Sequence, residues 1–272
     1  MHTQLDIARH SARGRAAEDR ALIAACIAVF VAGAALTVRM CDASCCGEQP
    51  MPGGWSLSTM WTRSAGGSWL GAAGSFLAMW IVMMVAMMAP CLAPMLVRHR
   101  RGLAANGFDR WHGSILLVSA GYFAVWTLVG AAVFPIGATS ASVALRSPSV
   151  SRSVPLLAAA TIVLAGIIQI SPWKIRQMMR CRAAPSCAGA CGRAHSAWRH
   201  GLELGAHCAR CCSGLMLALL ALGIMDLRAM TIVTAALAAE RLAPAPVRIA
   251  RWIGVLAIAA GVTAMARALG AS

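Results

Sequence analysis

Seven apolar stretches punctuate the chain, separated by shorter polar segments that carry most of its charge. They run Ala21–Val38, Trp69–Val97, Gly113–Phe134, Pro155–Ile170, Cys208–Met225, Ala229–Leu242 and Ile249–Ala266. A helix that crosses a bilayer needs about 20 mostly apolar residues, within a range of roughly 17–25. Ala229–Leu242 is the shortest of the seven and carries Glu240 near its end. The pattern predicts an all-α fold: a polytopic transmembrane helical bundle of about seven spans. The first apolar run has a basic flank. About twenty residues precede it, however, and no small-x-small site follows, so an uncleaved span is expected rather than a signal peptide. No internal repeat is evident. The organisation reads as residues 1–68 (tail, first span and a Cys-containing outer loop), 69–244 (the core metal-binding membrane domain) and 245–272 (a last span).

Composition supports that class. Of 272 residues, 59% are hydrophobic and 12% charged, against about 25% charged in soluble domains. The mean hydropathy of +0.70 points the same way. A disordered chain, a coiled coil and an ordinary cytosolic enzyme are excluded. The net charge of +15 comes from 23 Arg and one Lys, Lys174, scattered in short runs between apolar stretches. That scatter speaks against nucleic acid, whose partners gather their basic residues on one face. It fits loops obeying the positive-inside rule. With the N-terminus inside, 18 of the 24 basic residues fall inside and 6 outside. The expected orientation is therefore N-in, C-out, the expected partner the lipid bilayer, and the expected location the bacterial inner (cytoplasmic) membrane, crossed several times.

Eleven Cys and sixteen Met then stand out. In the second span, Met79, Met83, Met87, Cys91 and Met95 recur every fourth residue, so on a helix they form one sulfur stripe about 24 Å long. Met84 and Met88 lie beside it. Met alone is commonly a packing residue. Pro90 and Pro94 on the same segment remove backbone hydrogen bonds, and a broken helix in lipid is tolerated where it is buried in protein or lines a cavity. The fifth span opens His207-Cys208-Ala209-Arg210-Cys211-Cys212, which turns at least two thiols to one side of a helix. Such Cys spacing serves either metal binding or thiol redox chemistry.

The predicted topology supplies a second signal. Met87, Met88, Cys91 and Met95 fall near the cytoplasmic end of the second span, and His207–Cys212 near the same face of the fifth. Gln169 ends the fourth span there, and Glu240 the sixth. The orientation used only Arg and Lys, yet it brings polar or sulfur residues from four helices to one level. Soft thiolate and thioether donors select Cu(I), with zinc the alternative where His and thiolates dominate. Cys208, Cys211, Cys212, His207, Cys91, Met83, Met87 and Met88 are the candidate ligands, with Glu240 and Gln169 behind them. Glu240 is read as a supporting partner, a proton relay or a partner of Arg241; Asp226 as an interfacial acid beside Arg228. Two further groups are Cys41, Cys45 and Cys46 outside, either a disulfide or a metal site, and Cys181, Cys187 and Cys191 with His195 on an inner loop.

Three ordered motifs carry a family resemblance. They are Trp80-x2-Met83-x2-Ala86-Met87-Met88-x-Pro90-x3-Pro94; Gln169-x-Ser171-Pro172-x-Lys174 followed by Cys181; and Cys208-x2-Cys211-Cys212-x2-Leu215-Met216 with Gly223-x-Met225 and Glu240-Arg241 beyond. Over roughly Trp69 to Pro244 the chain resembles the predicted metal-binding integral membrane proteins known as domain of unknown function 2182. It departs from that pattern at Arg210, where the pattern has Gly, and at Ser213, where it has an aromatic residue. The resemblance implies metal binding and copper handling, without a defined reaction.

Four function classes follow. The leading one is a copper chaperone-like membrane protein that holds Cu(I) and passes it to a copper-receiving membrane enzyme or a metallochaperone. The others are a membrane thiol oxidoreductase or metal-dependent oxidase, a metal transporter, and a structural subunit of a larger complex. No dinucleotide fingerprint, catalytic triad order or haem-type Cys-x-x-Cys-His is present, so an enzyme is the less favoured expectation.

Overall fold

The second apolar stretch has hardly a polar residue on any side, and a helix of that kind is buried all round. In the computed structural model it forms α2 (Trp69–Ala105), the most buried of the long helices, with Met79, Met83, Met84, Met88 and Cys91 all in the core. Around it stand α1 (His2–Ser44), α3 (Trp111–Arg146), α4 (Pro148–Ile170), α5 (Pro172–Arg182), α6 (Ala194–Leu222), α7 (Leu227–Leu242) and α8 (Pro246–Gly270). The structure describes residues 2–44, 48–63, 67–105, 111–182, 194–224 and 226–270, less the side chains of 2–13, 15, 41–44, 48, 111 and 182. Cys45, Cys46, Cys187, Cys191 and Met225 lie outside the described residues, as does the side chain of Cys41.

The fold is an all-α bundle. Six described helices are long and apolar enough to cross a membrane: Ala16–Met40, Trp69–Ala105, His112–Arg146, Pro148–Ile170, Ala194–Leu222 and Pro246–Gly270. The sequence pattern gave about seven. The missing one is Ala229–Leu242, which becomes α7. At 16 residues it is about 24 Å long, short of a hydrocarbon core of about 30 Å. Asp226, expected as an interfacial acid beside Arg228, is the N-cap of α7: its carboxylate accepts from the Arg228 and Ala229 backbone N–H groups at 2.8 and 3.4 Å. The cap satisfies donors that the helix itself leaves open.

Glycines set the closest helix contacts. Gly201 and Gly205 on α6 face α3, where a Cβ would stand 2.3 Å from the Val118 carbonyl oxygen and 2.8 Å from that of Tyr122. Small residues four apart let membrane helices approach this closely. The crossing brings Tyr122 beside Cys208. Gly166 and Gly254 join α4 to α8 in the same way.

α1 is held to α2 at one end by ion pairs, Arg100 with Glu18 and Asp19, and Arg101 with Asp19. Elsewhere α1 exposes Ile27, Val31 and Leu36, as expected of a lipid-facing helix. Between α1 and α2 lies a groove of about 510 Å³, lined by Ile23, Phe30, Pro90 and Pro94 among others. A second cavity of about 310 Å³, which also touches Phe30 and Pro90, is bordered by Met87 and Met230. α2 runs unbroken through both prolines, so the expected helix break does not occur, but the prolines do face cavities. At the opposite end a hairpin of β1 (Glu48–Met51) and β2 (Trp55–Ser58) is pinned to α4, with the Trp55 Nε1–H donating to the Ser151 carbonyl at 2.9 Å.

The α3–α6 crossing yields a stability prediction. Gly201→Ala is expected to lower the unfolding midpoint in detergent, with an overpacking cost of about 1–3 kcal/mol. Gly74→Ala is the control, since nothing lies within 4 Å of its Cβ position, and it is expected to leave the midpoint unchanged or higher. Equal midpoints for the two variants would contradict the packing account.

Candidate metal centre

The candidate site forms where α4 and α7 end, α5 begins its run and α6 is at mid-length. Cys208, Cys211 and Cys212 lie within two turns of α6, so their thiols cover neighbouring faces, and all three are buried. Cys208 and Cys212 sit one turn apart, their sulfurs separated by 3.7 Å. Cys181 arrives from α5 and hydrogen-bonds with Cys211. Cys91, from the α2 stripe, is fully buried and close enough to Cys212, Cys181 and Arg241 for their charges to act on it. Cysteines from three helices thus share one buried neighbourhood.

What lies among these sulfurs is a guanidinium. Arg241 donates through Nη1 to Cys181 Sγ at 2.7 Å, and through Nη2 to Cys208 Sγ at 3.4 Å and Cys212 Sγ at 3.9 Å. The single tyrosine of the chain, Tyr122, donates to Cys208 Sγ at 3.0 Å. Among the described residues, no three His, Cys, Asp or Glu side chains stand together as a ready metal cage.

A second layer fixes the first. Lys174 on α5 is fully buried and donates to the Cys211 carbonyl at 2.6 Å and to Glu240 Oε2 at 2.8 Å. Glu240 also accepts from the Gln169 side-chain amide. An unpaired buried charge is costly; here Lys174 and Glu240 neutralise each other while each makes a further hydrogen bond. Burial alone would push the Lys174 ammonium down, yet Glu240 beside it holds it above its ordinary value. Cys181 goes the other way. The hydrogen bond from Cys211 is the main cause that brings its thiol down to about 7, burial opposes it, and Arg241 adds to the fall. A thiolate is the form that binds metal.

The structure therefore brings together Cys91, Cys208, Cys211 and Cys212, with Gln169 and Glu240 behind them. Met83, Met87 and Met88 are buried in the same core, but Met87 also borders the cavity beside α1. His207 is half-buried, with an Nδ1 that has no partner, and lies about 100° round the helix from Cys208. Glu240 pairs with Lys174 rather than with Arg241, its sequence neighbour. Sequence reasoning did not single out Arg241, Tyr122 or Lys174 as parts of the site. It assigned Cys181 to a separate loop group, although the motif running from Gln169 to Cys181 held a signal for Lys174 and Cys181 together.

Soft sulfur donors of this kind suit Cu(I). The buried carboxylate–ammonium pair makes its own prediction. Lys174→Met leaves Glu240 buried without its counter-charge and is expected to cost about 3–5 kcal/mol, seen as a lower unfolding midpoint in detergent. The double variant Lys174→Met/Glu240→Gln is expected to recover most of that loss. A double variant no more stable than the single one would refute the pairing.

Searches of curated proteins and of solved structures give no match. A family model described as copper chaperone, PpoB2, matches residues 77–264. That stretch exceeds two-thirds of the chain and encloses every residue of the junction from Cys91 to Arg241. On a match of that extent, the chain belongs to the PpoB2 copper chaperone family.

Proposed function

We propose that this protein takes up Cu(I) at the thiol junction, on the Arg-rich cytoplasmic face of a bacterial inner membrane, and hands it to a copper-receiving membrane enzyme or a metallochaperone. Copper is the cargo, not a resident cofactor. The observation that carries the reading is the convergence of Cys181, Cys208 and Cys212 on one buried guanidinium. The copper chaperone family match supports it independently. Cys208, Cys211 and Cys212 act as thiolate ligands and Cys91 joins from α2. His207, Met83, Met87 and Met88 are the further candidate donors.

The electrostatics favour a monovalent ion. Cu(I) held by two of these thiolates at a time, the third cysteine staying a neutral thiol, carries one net negative charge, which Arg241 offsets at close range. The same guanidinium lies among the sulfurs, so loading requires it to draw back but not to leave. A site whose counter-charge stays in place suits reversible holding. Zinc, with its preference for four nitrogen or sulfur ligands in a closed tetrahedron, would need a larger rearrangement than Cu(I).

Metal analysis tests the proposal. Protein purified in detergent under reducing conditions, loaded with Cu(I) or Zn(II) and desalted, is expected to retain copper in preference to zinc. The Cys208→Ser/Cys211→Ser/Cys212→Ser variant is expected to lose the copper bound at the junction. Copper retention unchanged by the triple substitution, or zinc retained in preference, would overturn it.

A further inference from the structure

The sulfur stripe on α2 does not end with sulfur. Continuing its four-residue step past Cys91 and Met95 reaches His99, which is 1% exposed. On α6 the same step runs backward from Cys212 through Cys208 and Leu204 to His200. The two histidines meet: their rings stack with centroids 5.3 Å apart and planes 23° from parallel. His99 lies eight residues beyond Cys91, and His200 eight before Cys208. Each is thus about 12 Å along its helix from the thiol junction, in the same direction.

The chemistry of His99 is unusual for a packing residue. Its Nε2 is 2.8 Å from the Ser114 hydroxyl of α3, while its Nδ1 is buried with no partner. With Nε2–H donating to Ser114, Nδ1 carries a free lone pair. A buried polar atom left unpaired is costly. Metal-ligating histidines are commonly oriented in this way, one ring nitrogen held by an outer partner and the other left for the metal. Glu203, one turn along α6, acts on His200 electrostatically. Met95 is buried one turn from both Cys91 and His99 and offers a thioether between them.

We propose that His99 and His200 form a second copper-binding station, through which Cu(I) passes between the aqueous side and the thiol junction with Met95 as the step between. Imidazole is a competent copper ligand, and a small rotation of the stacked rings turns two nitrogens toward one ion. This rests on the reading of the junction as a copper site, and the test separates the two.

Detergent-solubilised protein is titrated anaerobically with Cu(I) against a chromophoric chelator, and X-ray absorption reads the donor atoms. The wild type is expected to bind two equivalents, the second with nitrogen donors. His99→Gln/His200→Gln is expected to lose one equivalent and the nitrogen signal; His200→Gln alone, at a half-exposed position, is expected to weaken that equivalent at least tenfold without disturbing the core. In the Cys208→Ser/Cys211→Ser/Cys212→Ser variant the nitrogen-bound equivalent is expected to persist. That last result would support the second station even if the wild type held no copper on sulfur. Two equivalents with an unchanged donor set in the folded His200→Gln and His99→Gln/His200→Gln variants would overturn the proposal and leave the junction reading intact.

Discussion

A guanidinium buried among thiols is the constraint on which this structure turns. Bringing Arg241 out of water is costly unless charge and hydrogen bonds meet it. Three sulfurs from two other helices meet it here. Lys174 and Glu240 form a second, internally neutral pair one layer behind. The junction thus carries two cations beside one carboxylate, with the sulfurs of Cys181, Cys208 and Cys212 as acceptors for Arg241. On this arrangement rests the proposal that the junction holds a monovalent soft metal ion.

The scaffold delivers these groups through backbone contacts. The Gly201–Gly205 face lets α6 approach α3 closely enough for Tyr122 to reach Cys208. Gly214 lies against the Ala165 carbonyl and the Gln169 side chain, so α4 and α6 come together where Gln169 bonds to Glu240. On α2 the prolines open space toward α1 while the helix continues, which leaves Met87 beside a cavity and Cys91 inside the junction. α2 and α6 both extend about 14 residues past the junction in the same direction, to where Arg100 meets Glu18 and Asp19 and the stacked histidines lie.

Much of this was legible in the sequence because a bilayer is a demanding solvent. Apolar runs had to become helices, and the asymmetry of Arg gave the depth at which Cys91, Cys208, Gln169 and Glu240 should meet. The structure joins Gln169 to Glu240 directly and brings Cys91 within electrostatic reach of Cys212. What the pattern missed has a physical cause in each case. Arg241 stood only as a motif residue and a candidate partner of Glu240, since a sequence does not say which basic residue turns inward. Tyr122 lies in an apolar run whose glycine neighbours gave no hint of a partner on α6. α7 looked like a short span because its run is apolar, yet its 16-residue helix is about 24 Å long, short of a hydrocarbon core of about 30 Å. Cys181 read as part of a loop cluster because α5 is polar and short, and its contacts with Cys211 and Arg241 join it to the junction.

The central claim is that the first copper ion sits on junction sulfur. X-ray absorption at the copper edge, with one equivalent of Cu(I) bound to the reduced protein in detergent, addresses it most directly. The account predicts a first shell dominated by sulfur, replaced by lighter donors or lost when Cys208, Cys211 and Cys212 are changed to serine. A first shell of nitrogen or oxygen in the unaltered protein, or a sulfur shell that survives the triple substitution, would contradict it.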